Sequence, residues 1–559
     1  MTVRKGASLE ASTASDASTA SAAAGAIVAA LARAGTRLMF GVPGGGPNLD
    51  VVGAAEAAGL RFVLAHGETA ATIMAATSAD LTGVPGAVVV TRGPGLASAV
   101  NGIAHAALDR LPVVVIADTV PAADADRISH QRIDQAALGR SVAKAAVTVA
   151  GPLAAAGAVA IALAAPPGPV IANIDDGAAD QDGSPRVENG VEIQTLRAAE
   201  AMAARAGRAL LAEAVTGARR PVVLLGTGAI PRTAAVREAL DGRGIPALHT
   251  YRARGVLPDS GGEAAGLVTG GTMEWPLLSA ADLIVGLGVD EAEMIPARWD
   301  YAARTILVSE PGAAPASGWF TGASVLSMPI AEAAGVLAAG PGHDWRADAG
   351  RTARADAVRR LAAAAVAGPG LLAPQQVVAT ARACAPPETI ATVDAGAHMF
   401  QTTAYWQTLE PGELLISNGL ATMGFALPAA IAAQLVHPDR RVVCFTGDGG
   451  LMMVAAELET VTRLRLPVLI VVFNDEALSL IEVKQEQKGF AGVSMRYAGP
   501  DLLALARAFG LRAYRATDEP TLERALIAAQ TAPGPALIDA RIDPSGYRAL
   551  LEIVRGAPK

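Results

Sequence analysis

The chain has 559 residues, which at roughly 150 residues per domain points to three or four domains. Hydrophobic residues make up 52% and charged residues 18%, with 59 Gly and 35 Pro, a globular and turn-rich composition that excludes disorder for most of the chain. A net charge of −8 supplies no basic surplus for nucleic acid or an anionic membrane, and two cysteines, Cys384 and Cys444, are too few for a disulfide framework or a cysteine-rich metal site, so a reducing cytoplasm is expected.

Residues 1–24 are mostly Ser, Ala, Thr and Asp without an apolar core, as expected of a flexible tail rather than a signal peptide. Apolar, largely β-branched runs at 37–40, 62–65, 87–91, 113–117 and 170–174 alternate with Ala-rich helical stretches and predict a parallel α/β domain over 25–180. Within it, 145–174 carries no charge and could span a bilayer by length, but Pro152, Pro166, Pro167 and Pro169 break it into a buried helix followed by a strand. Runs at 222–226, 283–288 and 305–308 predict a second α/β domain over 195–340. Runs at 389–393, 441–446, 468–473 and 536–540 predict a third over 365–550. The expected fold class is therefore α/β, with three doubly wound parallel-sheet domains and no solenoid repeat.

The run Thr446-Gly-Asp-Gly-Gly450 follows one expected strand, and Asn474 ends the next, 26 residues after Asp448. In a right-handed βαβ unit the carboxyl ends of both strands share one edge, so these two oxygen donors can converge there. Hard oxygen donors suit Mg²⁺, which is usually completed by phosphate oxygens. Gly449 and Gly450 let backbone N–H groups approach such a phosphate at the start of a helix.

These residues, with Gly419-Leu-Ala-Thr-Met-Gly-Phe-Ala-Leu-Pro428 upstream, resemble the metal-diphosphate motif of thiamine diphosphate (ThDP) enzymes and the acetolactate synthase signature. The resemblance spans about residues 25–542. It implies a pyrimidine-binding first domain, a central domain and a diphosphate-binding third domain, with Mg²⁺ held by Asp448, Asn474 and the main-chain oxygen of Glu476. It further implies that Glu68, in His66-Gly-Glu-Thr-Ala-Ala71, bonds the pyrimidine so that the cofactor's own amino group can serve as base. Met423 would wedge the two rings into a bent conformation, Ala421 would accept from the amino group through its carbonyl, and Gly396 and His398 would lie by the diphosphate, although Ala397 replaces the usual Gln. Because such cofactors lie between the first domain of one subunit and the third of another, a homodimer or homotetramer is implied.

On the substrate side, Gly45 stands where benzoylformate decarboxylase carries its catalytic serine, and Thr91 where decarboxylases of that style carry a histidine. Arg92 replaces the Ser of the synthases' Thr-Ser-Gly-Pro-Gly run. His130-Gln131 aligns with their Phe-Gln pair, Gln131 being the residue expected near the substrate carbonyl. Lys484, one of only five lysines, replaces the tryptophan that favours a 2-ketobutyrate acceptor, and Leu480 replaces pyruvate decarboxylase's catalytic Glu. If Arg92, His130 and Lys484 face the pocket they favour a substrate or acceptor with an extra anionic group; otherwise they serve loop packing, subunit contacts or a solvated helix face. In the central domain Leu225-Gly-Thr-Gly-Ala229 and Gly286-Leu-Gly288 follow strands, but Asp290 stands where FAD-binding synthases carry an arginine, so no FAD is expected.

The expected activity is decarboxylation of a small-molecule 2-oxo acid, dependent on ThDP and Mg²⁺, with carboligation of the resulting enamine to a second carbonyl compound. A simple decarboxylase is the alternative, and a non-catalytic subunit of the same fold a further one.

Overall fold

The computed structural model describes residues 10–121, 124–175, 178, 190–294, 299–313, 318–490 and 495–556. The chain divides into two compact units, residues 1–186 and 187–559.

In the first unit β1 (Leu38–Val42), β2 (Arg61–Leu64), β3 (Gly86–Val90), β4 (Val113–Asp118), β5 (Ala145–Val149) and β6 (Val170–Ile174) form a parallel sheet in the order β2-β1-β3-β4-β6-β5. Every residue of β3, β4 and β6 is buried, as strands covered by helices on both faces must be. Two expectations change here. The stretch 145–174 holds one strand more than predicted, β5, before the helix Pro152–Leu163 and β6. The expected tail differs too, because a helix runs from Glu10 to Arg33. Its Ala23, Ala24, Ile27, Val28 and Leu31 recur at helical spacing and pack into the core of this unit, so an Ala-rich composition here serves a close-packed helix. Residues 1–9 lie outside the described ones.

The second unit carries two more parallel sheets. The first comprises β7 (Pro221–Leu225), β8 (Ala247–His249), β9 (Ala264–Leu267), β10 (Leu283–Leu287), β11 (Arg304–Ser309) and β12 (Ser324–Ser327), ordered β12-β11-β10-β7-β8-β9. The second comprises β13 (Ile390–Val393), β14 (Leu414–Ile416), β15 (Val442–Gly447), β16 (Leu469–Asn474), β17 (Arg512–Ala516) and β18 (Ala536–Arg541), ordered β14-β13-β15-β16-β18-β17. No helix among the described residues is long and apolar enough to cross a membrane.

In each sheet the strand order reverses between two interior strands, β1 and β3, β7 and β10, and β13 and β15. Loops leaving the carboxyl ends of two strands diverge at such a point and leave a crevice where ligands bind in sheets of this kind. The crevice at β7 and β10 is filled by the chain itself. A Cβ on Gly226 would lie 2.4 Å from the Gly288 carbonyl and one on Gly228 2.8 Å from Gly288 Cα, so these glycines are required by loop-on-loop contact. The Glu293 carboxylate, 6% exposed, then accepts the N–H groups of Thr227 and Asp290, both at 3.0 Å, and the Thr250 hydroxyl. Burial pushes this carboxyl above its usual range while the hydrogen bonds work against that shift. Glu293→Ala strands those donors, and a loss of about 3 kcal/mol in urea unfolding is expected; an unchanged midpoint and slope would show that the carboxylate is no plug.

Candidate active site

The pairing register builds the site at the reversal between β13 and β15. Gly447 pairs with Phe473, so Asp448 and Asn474, each one residue further on, leave neighbouring strands side by side. Asp448 opens the helix Asp448–Met453; its Oδ1 accepts from Gly449 N–H at 2.8 Å and its Oδ2 from Glu476 N–H at 2.9 Å. Asn474 is 4% exposed; its Nδ2 donates to Asp539 at 2.8 Å, and Asp539 in turn accepts from Arg515 at 3.0 Å. The amide is thereby oriented, and its Oδ1 is buried with no hydrogen-bond partner. A buried acceptor without a donor is unfavourable unless something positive meets it. Burial raises the pKa of Asp448, and that of Asp475 reaches about 7, through burial and then the neighbouring Asp448 charge. A cation at this point would relieve all three groups.

Glu476 takes a left-handed backbone, φ 56°, and so does Ala421, φ 51°. The Glu476 side chain turns away to Arg541 at 3.1 Å, which leaves only its backbone facing Asp448. Gln131, φ 58°, is a third site candidate in that sparsely occupied region, where strain tends to mark functional positions.

A cavity of about 300 Å³ lies over this edge. Gly396, His398, Asp448, Gly449 and Gly450 are among its lining residues, as are Ala421, Met423 and Lys484. The helices Ala397–Tyr405 and Asp448–Met453 both begin here, and neither is capped by the side chain before it, so two positive helix ends face one space. Gly450 is forced by close approach, since a Cβ there would lie 2.4 Å from Asp394 Oδ2. Asp394 is fully buried, accepts from the Thr446 hydroxyl and the Ala426 N–H, and has its pKa raised to about 6, chiefly by burial. His398 stacks on Phe473 with ring centres 5.1 Å apart. Burial lowers its pKa to about 4, so it offers a neutral ring whose Nε2 has no partner. Asp394, Tyr497, whose hydroxyl stands beside Gly449, and Arg555, which also lines the cavity, escaped the sequence reading. None belongs to a motif; long-range packing alone brings them in.

In the first unit Glu68 opens the helix Glu68–Thr82 and is half-buried. A Cβ on Gly95 would lie 3.5 Å from its Oε1, and among the described residues no group donates to its carboxylate, which leaves it free to accept from a ligand. Two loops meet at the β1–β3 reversal. Asn48 accepts from Gly44 N–H at 3.0 Å and donates to Asp118 at 3.0 Å, and Asp118 accepts from Arg92 N–H at 2.8 Å. The Arg92 guanidinium also bonds the Thr119 carbonyl at 3.0 Å and sits 3.4 Å from Asp118, so its charge is already balanced. Gln131 and Arg92 line a second cavity of about 300 Å³, whereas His130 is exposed and lines none of the cavities described here. Gly45 is exposed, and a Cβ there would meet nothing within 4 Å, so the missing serine is a chemical departure without a steric cause.

Comparisons with known proteins identify the family. Models of the N-terminal, central and C-terminal domains of thiamine pyrophosphate enzymes match residues 22–138, 209–310 and 394–540. The chain is 31% identical to the acetolactate synthase isozyme 1 large subunit of Escherichia coli (strain K12), covering 92% of this chain and 93% of that one. It is 30% identical to an acetolactate synthase of Bacillus subtilis (strain 168), covering 92% of each. A 2-hydroxyacyl-CoA lyase of Oryza sativa subsp. japonica is 28% identical over 92% of this chain and 94% of its own. The fold also matches a Rhodococcus jostii RHA1 thiamine diphosphate-dependent 4-hydroxybenzoylformate decarboxylase, with a TM-score of 0.75 at 20% identity, covering 93% of this chain and 99% of that one. With three α/β domains that match the family's models in order, the chain belongs to the thiamine pyrophosphate enzymes and is an acetolactate synthase-like, ThDP-dependent enzyme.

Proposed function

We propose that the protein decarboxylates a 2-oxo acid and joins the remaining fragment to a second carbonyl compound, with ThDP and Mg²⁺ as cofactors. The observation that carries the cofactor assignment is the oriented, unpartnered Asn474 Oδ1 beside Asp448, below two uncapped helix starts. Among the described residues no cluster of three or more His, Cys, Asp or Glu side chains could hold a metal alone. One carboxylate, one amide oxygen and the Glu476 carbonyl are therefore an incomplete shell, of the kind Mg²⁺ completes with diphosphate oxygens and water.

Bound ThDP supplies a carbon nucleophile and an electron sink for loss of CO₂ from a 2-oxo acid. The protein's own part is placement and proton control. The helix starts and Gly450 would receive the diphosphate, Met423 would support the rings, the Ala421 carbonyl would accept from the amino group, and Glu68 would hold a proton at the pyrimidine nitrogen. In this reading Glu68 and Asp448 serve opposite ends of a cofactor shared between two copies of the chain, the smallest active unit being a dimer. Gln131 stands by the substrate carbonyl. No flavin is assigned, because Glu293 already engages the N–H donors of the central crevice.

The test incubates purified protein with ThDP, Mg²⁺ and a panel of 2-oxo acids, following CO₂ and identifying products by NMR. A ligated hydroxy-carbonyl product is expected. Aldehyde alone would assign a simple decarboxylase, and no ThDP-dependent CO₂ from any acid would overturn the reading.

A further inference from the structure

Two cavities of the second unit share one wall. Beyond the cavity over Asp448 lies another of about 240 Å³, bounded by Thr269, Gly270 and Leu551, and Phe400, Leu480, Lys484 and Arg555 line both. Lys484 comes from the helix Ser479–Gln487 and Arg555 from the last turn of the helix Tyr547–Arg555, so two separate elements bring a cation each to one wall. The Arg555 guanidinium carbon lies 5.1 Å from the centre of the Phe400 ring, an aromatic face that holds a cation without cancelling its charge.

Carboxylates near this wall are engaged elsewhere. Glu482, on the same helix as Lys484, pairs with Arg496 at 2.7 Å, and Glu552, three residues before Arg555, faces Arg548 at 3.6 Å. Glu274 accepts the N–H groups of Thr269, Gly270 and Gly271 and the Thr269 hydroxyl. Among the described residues neither Lys484 nor Arg555 has an ion-pair partner. Lys484 and Arg555 are both exposed, and the apolar side chains of Phe400, Leu480 and Leu551 line the same cavity.

We propose that this second compartment receives the tail of the carbonyl substrate and that the tail ends in a second carboxylate, bound by Lys484 and Arg555. The inference deepens the proposed function, on which it rests for the position of the reacting carbon. Two exposed cations, each strengthening carboxylate binding by about three- to fivefold, together favour it by about tenfold.

Titration calorimetry on the full chain separates the two readings. ThDP uptake in Mg²⁺ tests the cofactor assignment. Glutarate against pentanoate, added to the same protein, tests the compartment, because the two probes match in length and differ by one carboxylate. Glutarate is expected to bind about tenfold more tightly, and Lys484→Met or Arg555→Met to reduce that preference to about threefold or less. With no substitution at all, added salt should erode the glutarate preference and spare pentanoate less affected. Equal binding of the two probes, or a preference surviving in the double variant, overturns the compartment while leaving the cofactor assignment standing. Absent ThDP uptake with the glutarate preference intact would do the reverse.

Discussion

Asp448→Ala is expected to abolish ThDP-dependent CO₂ release and to weaken Mg²⁺-dependent ThDP uptake by at least about a hundredfold, since even partners outside a metal's ligand shell contribute ten- to a hundredfold. The substitution removes the only carboxylate among the proposed ligands. It also removes the acceptor for the N–H groups of Gly449 and Glu476, so among the described residues the left-handed turn at Glu476 keeps only the Tyr497 N–H on its carbonyl and Arg541 on its side chain. Asn474 Oδ1 would then face the cation with a single main-chain oxygen, too few donors to hold it against water. Equilibrium dialysis of ThDP at several Mg²⁺ concentrations, beside a CO₂ assay, reads both effects. Undiminished turnover would contradict the metal role.

Glu68→Gln probes the other end of the cofactor and should separate binding from chemistry. The amide keeps the size of the side chain and can still hydrogen-bond, but it cannot hold and return a proton. ThDP uptake is expected to change by less than about threefold while CO₂ release falls by about a hundredfold to ten-thousandfold, the span associated with a positioned acid or base. Loss of both together would indicate a merely structural side chain. Full activity would remove Glu68 from the mechanism.

The two predictions concern different units of the fold, and they differ in how well the sequence supports them. Asp448 and Asn474 were legible because a strand, a glycine-rich turn, a helix and a second strand form one local unit, whose spacing converts directly into adjacency through the β15–β16 register. Glu68 is an acid at a helix start, an ordinary place for one, and only the family resemblance singles it out. Arg92 illustrates the opposite limit. Its replacement of a serine was visible, but Asp118, the residue that balances its charge, is 26 positions away with no motif to announce it.

The interior strands declared themselves through composition. A strand covered on both faces is largely apolar, and β3, β4, β10 and β16 are runs of Val, Ile, Leu, Phe and small residues up to the Asp118 and Asn474 that end β4 and β16. Those that escaped lie at or next to a sheet edge. Arg512–Ala516 carries two arginines and Ser324–Ser327 two serines, because an edge strand is only partly covered and can afford polar residues. Ala145–Val149 hid inside an Ala-rich stretch that also holds a helix. The helix from Glu10 was hidden for a related reason: Ser, Ala and Thr suit a solvated tail as well as a helix packed against a sheet, and the choice depends on a surface contributed by residues far along the chain.

By itself, then, the sequence determined the number and kind of layers, the reversal-point loops and the pairing of Asp448 with Asn474 at one sheet edge, all of which arise from local periodicity and short βαβ spacings. Only the tertiary structure decided which side chains those loops leave unsatisfied. It filled the central crevice with Glu293, oriented Asn474 through Asp539, and set Arg555 beside Lys484 across one wall. Each of these depends on partners far apart in the chain, and hydrogen-bond valence and charge balance are settled by which groups packing brings together, which no local pattern encodes.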